Sequence, residues 1–217
     1  MTLALALEDV HFRYGSTTVL SGVSLTVLRG EVLAVVGPSG SGKSSVLRLL
    51  LGLEVPERGR VHVDGRLASV AGRLIEPPEQ RNLAVVFQDL ALWPHLSVEG
   101  NLAFGLESRG VPRDERWRRI ADILDRVGLT SKRGRYPREL SGGEQQRTAI
   151  ARALVLAPAA VLLDEPLSNL DVALRRELLL LVRQLFMERN TAALYVTHDL
   201  REALNLVDRL AVLEGGR

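Results

Sequence analysis

No cysteine occurs among the 217 residues. That excludes a disulfide framework and a cysteine-based zinc site, and it is compatible with a reducing compartment. Lysine is nearly missing too. Lys43 and Lys132 are the only two, and arginine supplies the rest of the 28 basic residues. Aromatic residues make up 4% of the chain. No apolar run approaches the roughly 18–20 residues that a helix needs to span a bilayer. A strong field of one sign is also lacking. The formal net charge is +2, and the sequence pI of 9.4 reflects arginine's high pKa more than a field at pH 7. This balance argues against nucleic acid as a partner. The opening residues, Met1 to Asp9, have no basic segment and reach the acidic pair Glu8-Asp9 early; they read as a strand, not a signal peptide. What remains is an ordinary globular composition, 46% hydrophobic and 25% charged. It is long enough for one domain, or one domain with a subdomain, around a substantial core.

The most informative stretch is Gly37-Pro38-Ser39-Gly40-Ser41-Gly42-Lys43-Ser44-Ser45. The apolar run Val32 to Val36 leads in, and the helix-like segment Ser45 to Leu51 leads out. In the setting strand, glycine-rich turn, helix, the pattern G-x-x-x-x-G-K-[ST] is a phosphate-binding loop. Glycines let backbone N–H groups turn inward, and those amides together with the positive end of the helix dipole make an anion site. Lys43 would reach the β- and γ-phosphates, and the Ser44 hydroxyl would ligate Mg²⁺.

The rest of the chain places other groups near such a loop. Leu3 to Tyr14 alternates as a strand, and Thr17 to Val27 is a β stretch broken at Ser21-Gly22. Three β stretches precede the first helix, which suggests an antiparallel sheet beside the loop. The Tyr14 ring could stack on an adenine face or simply be half buried in that sheet. Val61 to Gly65 is a strand and turn, and His62 on it has no partner carboxylate nearby and reads as structural. Leu67 to Glu79 is ambiguous, with Pro77-Pro78 indicating loop. The apolar strand Leu83 to Phe87 ends at Gln88-Asp89, where ligand groups of open α/β sheets gather, although Gln88 could equally cap the strand.

From about Leu90 to Leu156 the spacing turns helical, over Ser97–Leu106, Arg113–Val127 and Gly142–Val155. This reads as a helical insertion between strands. Within it, Ser141-Gly142-Gly143 opens a helix and forms a second anion-ready N-terminus. The apolar strand Ala159 to Leu163 then ends in Asp164-Glu165. An aspartate there is placed to hold Mg²⁺, and Glu165 is a candidate general base for a water attacking the γ-phosphate. Ser168 to Asp171 caps a helix from Val172 to Glu188. A further strand, Ala192 to Val196, ends in Thr197-His198-Asp199, which brings His198 to the ligand edge. A helix from Leu200 to Asn205 and a strand from Arg209 to Leu213 finish a chain that stops just after a strand, as part of a longer one would.

These motifs, in this order, resemble the nucleotide-binding domain of ABC transporters along essentially the whole chain. Gly37–Ser45 looks like its Walker A, Gln88 like the Q-loop glutamine, and Leu140–Arg147 like the signature. Val161–Glu165 looks like Walker B with its catalytic glutamate, Ser168–Asp171 like the D-loop, His198 like the switch histidine, and Tyr14 like the adenine-stacking aromatic. The resemblance implies an α/β fold: a P-loop NTPase with a RecA-like parallel-sheet core, an antiparallel β subdomain and an inserted helical subdomain. Residues 1–89 and 157–217 would form the core with its β subdomain, and 90–156 the helical one. It implies ATP and Mg²⁺, with Gln88 joining Ser44 and Asp164 around the metal. A head-to-tail dimer is implied as well, in which Ser141 and Gly143 bind the γ-phosphate of the nucleotide on the other copy; Asp171 is implied to be a nucleotide-binding residue too. Val86–Val98 and Asn101–Leu106 further resemble importers of the sugar, polyamine, ferric-iron, sulfate and molybdate group, and Pro77–Arg81 leans toward the iron and molybdate members. Expected partners are transmembrane permease subunits and, indirectly, an extracytoplasmic solute-binding protein, at the cytoplasmic face of the cell membrane. The extra C-terminal regulatory β domain of many such relatives is not in this sequence.

Overall fold

A computed structural model of the chain describes residues 2–168 and 170–217, apart from the side chain of Asn205. Met1, in the opening stretch, and Asn169, in the Ser168–Asp171 turn, lie outside the described residues. In chain order the elements are β1 (Leu3–Tyr14), β2 (Thr17–Leu28), β3 (Val32–Val36), α1 (Lys43–Leu51), β4 (Arg58–Val63), β5 (Arg66–Val70), β6 (Arg73–Leu74), β7 (Leu83–Val86), α2 (Val98–Ser108), α3 (Arg113–Arg126), α4 (Gly142–Leu154), β8 (Ala160–Asp164), α5 (Val172–Arg189), β9 (Ala192–Thr197), α6 (Leu200–Leu206) and β10 (Arg209–Val212).

Two five-stranded sheets result. One is antiparallel in the order β2-β1-β4-β5-β6, and the other is parallel in the order β10-β3-β9-β8-β7. Only two of the three β stretches before α1 enter the antiparallel sheet. The third, β3, is wholly apolar and buried, and it joins the parallel sheet instead. A strand with no polar face needs cover on both sides, which the parallel sheet supplies. The stretch Thr17–Leu28 runs through Ser21-Gly22 as one strand, with register shifts along its pairing with β1 absorbing the irregularity. The ambiguous segment 67–79 divides into β5, β6 and a short turn of helix at Pro78–Gln80. His62 does gain a carboxylate: β1 and β4 pair side by side, and Glu8 comes to 3.6 Å from its Nδ1.

The parallel sheet is a partition between two cores. Val32, Ala34 and Val36 of β3 point to one face, with Leu163, Tyr195 and the apolar stripes of α2 to α6. Leu33 and Val35 point to the other, with Leu162, Val196, α1 and the antiparallel sheet. The alternation follows from the two-residue side-chain period of a strand. Among the described residues no helix is long and apolar enough to cross a membrane.

One buried cation joins the layers around α1. Arg81 is fully buried. Its Nη1 donates to the carbonyls of Leu49 and Leu50 at 2.8 and 2.6 Å, in the last turn of α1. Its Nε and Nη2 donate to the carbonyls of Glu76 and Ala68 and to Ser69 Oγ. A positive charge at a helix C-terminus opposes the negative end of the dipole. Burial lowers the Arg81 pKa, and the charge of Glu76 partly offsets this.

Candidate functional site

Register along the parallel sheet gathers the predicted groups at one edge. Val36 pairs with Thr197, Asp164 with Val196, and Val86 with Leu163. The residues just past these ends are Gly37, His198, Glu165 and, two on, Gln88. They emerge together at the carboxyl ends of neighbouring strands, where open α/β sheets hold ligands.

The loop from β3 to α1 borders a cavity of about 390 Å³, lined by Tyr14, Val19, Ser39, Gly40, Gly42, Lys43, Ser44, Ser45 and Glu165. Gly42 caps α1 with φ 105°, a conformation that only glycine adopts without strain. Gly37 has no room for a side chain: a Cβ there would lie 2.1 Å from the carbonyl oxygen of Leu213. Lys43 is buried, and its Nζ donates to the carbonyls of Gly37 and Pro38 at 2.7 and 2.9 Å. Its charge thus sits within the loop. Ser41 Oγ is buried with no hydrogen-bond partner among the described residues, an open requirement that an anion's oxygen or a water would meet. Tyr14 ends β1, stands edge-on to Phe12 and donates from its hydroxyl to Glu54. It is both a sheet residue and a wall of the cavity.

Asp164 is half buried. Burial, and secondly the charge of Glu165, raise its pKa, while Lys43 and Arg48 oppose the rise. A carboxylate held in this way gains from a nearby cation. Ser44 and Asp164 line a second recess together, and Asp164 lines a third with Gln88. Among the described residues no group of three His, Cys, Asp or Glu side chains could hold a metal. The donors present, one carboxylate with a hydroxyl and an amide, suit Mg²⁺ of the kind completed by phosphate oxygens and water. Glu165 takes a left-handed φ of 45°, uncommon for a non-glycine residue. Its N–H donates to the Val196 carbonyl at 2.9 Å, and its own carbonyl accepts from Ser168 Oγ at 3.0 Å. The carboxylate lies 3.0 Å from His198 Nδ1.

Gln88 is exposed in a loop anchored from elsewhere. Leu90 and Ala91 have φ of 61° and 44°. Their carbonyls accept from the two Nη atoms of Arg152, on α4, at 2.7 and 2.6 Å, and the guanidinium lies over the Trp93 ring. Ser141 and Gly143 line none of these recesses. Ser141 Oγ caps α4 by accepting from the Glu144 N–H, and the Glu144 carboxylate accepts from the Ser141 N–H. Gly143 is buried against Leu174, which a Cβ would meet at 2.9 Å. Asp171 caps α5, its carboxylate accepting from the N–H groups of Ala173 and Leu174.

Sequence reasoning missed what lies beneath this edge. Glu202 of α6 is buried and accepts from the Tyr195 hydroxyl. Burial, chiefly, pushes its pKa up to about 7, with Arg175 lowering it and Glu165 raising it. The folded protein therefore keeps a proton that the unfolded chain releases near 4.5. Stability falls as pH rises from about 4.5 to about 7, by about 3 kcal/mol across the window. Glu202→Gln keeps the acceptor and removes the titration. Denaturant melts at both ends of the window should show a shallower pH slope for the variant, and an unchanged slope would remove Glu202 as the cause. Its only sequence signal was a glutamate on the apolar side of a short helix.

Comparison with known proteins agrees with the geometry. The sn-glycerol-3-phosphate import ATP-binding protein UgpC 1 of Rhizobium etli is 47% identical over 99% of this chain. The spermidine/putrescine import ATP-binding protein PotA of Frankia alni is 47% identical over 97%, and the trehalose/maltose import ATP-binding protein MalK of Thermococcus litoralis 42% over 97%. The chain spans 60%, 44% and 57% of their lengths. These names include neither iron nor molybdate. The solved structure of cbiO1 from Clostridium perfringens, described as part of the ABC transporter complex cbiONQ, superposes with a TM-score of 0.90 at 28% identity, covering 100% of this chain and 87% of that one. The family profile described as ABC transporter matches residues 20–168, and the chain accordingly belongs to the ABC transporter family.

Proposed function

We propose that the chain is the ATP-hydrolysing subunit of an ABC importer, and that two copies clasp two ATP molecules head to tail. One observation carries this reading. The cavity walled by Tyr14, Lys43, Ser44 and Glu165 contains neither Ser141 nor Gly143. The α4 N-terminus, exposed at Ser141 and Gly142, would meet something outside its own copy. In the closed pair the loop amides and Lys43 hold the phosphates of one nucleotide, and Tyr14 stacks on its base. Ser141 and Gly143 of the other copy meet the γ-phosphate, and Asp171 lies at the same junction. Glu165 takes the proton of the attacking water, and His198, 3.0 Å from it, senses the γ-phosphate. Ser44, Asp164 and Gln88 would hold Mg²⁺, which neutralises charge on the phosphoryl oxygens when bound. Closure and hydrolysis are then one cycle.

Residues 1–89 and 157–217 act as the core with its β subdomain. Residues 90–156, hinged beside Gln88, act as the helical subdomain that meets transmembrane permease subunits at the cytoplasmic face of the membrane; an extracytoplasmic solute-binding protein delivers cargo to those. The three relatives bear names of different solutes at 42–47% identity. This supports cargo choice residing in other subunits. Nucleic acid has no part in the cycle.

The test is association. ATP should convert the chain from monomer to dimer in sedimentation, and Ser141→Arg should abolish this while leaving nucleotide binding to the single copy intact. A monomer that hydrolyses ATP at a specific rate independent of protein concentration would overturn the reading.

A further inference from the structure

Beneath the Glu165–His198 contact, one guanidinium reaches two turns at once. Arg175 sits in the first turn of α5, which Asp171 caps, so its backbone is fixed. Its Nη2 donates to the Leu170 carbonyl at 2.9 Å, with the Ser168 carbonyl at 3.5 Å. Both belong to the turn that leaves Glu165, and Ser168 Oγ donates to the Glu165 carbonyl. Its Nη1 lies 3.5 Å from Asp199 Oδ2. Asp199 follows His198, and its other carboxylate oxygen caps α6 by accepting from the N–H groups of Arg201 and Glu202. Among the described residues, the buried Nε of Arg175 has no partner. An unmet buried donor is unfavourable, and packing alone gives no reason to keep it. A lysine could not span these acceptors, because an ammonium is a point donor and a guanidinium a rigid fork.

We propose that Arg175 is a positioning residue for hydrolysis: it ties the turn after Glu165 to the turn that carries His198, so that the two move as one. The inference rests on the reading of Glu165 and His198 as the hydrolytic pair. Arg175 lines none of the recesses described above, so its loss acts through these turns and not through nucleotide contact.

The experiment compares Arg175→Gln, Arg175→Lys, Asp199→Asn and the double variant Arg175→Gln/Asp199→Asn with the wild-type chain. Steady-state ATP hydrolysis, affinity for a fluorescent ATP analogue and thermal unfolding are measured. Arg175→Gln should lower kcat about tenfold or more with KM and nucleotide affinity unchanged. Arg175→Lys should recover little of it. Asparagine still caps a helix, so Asp199→Asn breaks the same tie from the other side without unfolding α6; it carries the test if Arg175→Gln fails to fold. The double variant should be no worse than the poorer single one. A wild-type kcat in the folded Arg175 and Asp199 variants overturns the proposal. So does a joint loss of kcat, nucleotide affinity and melting temperature, which marks a merely structural residue. Glu165→Gln separates the two ideas. If it turns over normally, the underlying reading fails; if it is inactive while Arg175→Gln is normal, only the tie fails.

Discussion

Glu165→Gln is expected to bind ATP as the wild-type chain does and to hydrolyse it about 10²–10⁴ times more slowly, the contribution typical of a general base. The substitution isolates proton transfer. Glutamine fills the same space and tolerates the φ of 45° at this position no worse than glutamate does. Its amide can still meet His198 Nδ1, now 3.0 Å from the carboxylate. What it cannot do is accept a proton from water. The measurement is single-turnover hydrolysis beside equilibrium binding of a fluorescent ATP analogue. A wild-type turnover rate would remove Glu165 from the role of base. Loss of binding in step with loss of turnover would make it a binding group instead.

The largest expected effect on stability is at Arg81. Arg81→Met should destabilise the fold by about 3–5 kcal/mol, as when a buried charged partner is removed and the groups it served remain. Five acceptors lose a donor: the carbonyls of Leu49, Leu50, Glu76 and Ala68, and Ser69 Oγ. No water can replace it easily, because the site is fully buried. For a chain of this size the melting temperature should fall by roughly 10 °C. Arg81→Lys should recover little, having one donor group where five hydrogen bonds radiate in a fork. A melting temperature close to wild type for the methionine variant would show that the surroundings collapse or rehydrate without penalty.

Arg81 also illustrates what the sequence left unread. Its surroundings are assembled from α1, β5 and the loop before β7, and nothing in residue type announces that an arginine is inside. Arg175 and Glu202 share this character: each is a local surface residue until α5, α6 and the Ser168 turn are brought together. The parts that could be read in advance rest on local rules. The phosphate loop is a glycine pattern between a strand and a helix. Asp164 and His198 follow wholly apolar runs, and such runs end at the ligand edge of a parallel sheet. Ser141 and Asp171 are capping residues with their helices directly behind them. β3 follows β1 and β2 closely in the chain, yet its burial on both faces requires β9 and β10 as neighbours, which sequence proximity does not reveal. The weak alternation of 67–79 hid β5 and β6, strands of five and two residues that are settled by pairing and not by pattern.

Val35 and Val36 are adjacent in the chain, yet they answer to different neighbourhoods: the first to α1 and the antiparallel sheet, the second to the helices behind. A change of volume at either passes to one side only, because the main chain between them is locked into two ladders. Odd and even positions of this strand are thus separate tuning pegs. One set bears on the element that cradles phosphate, and the other on the bundle whose leading tip is Ser141.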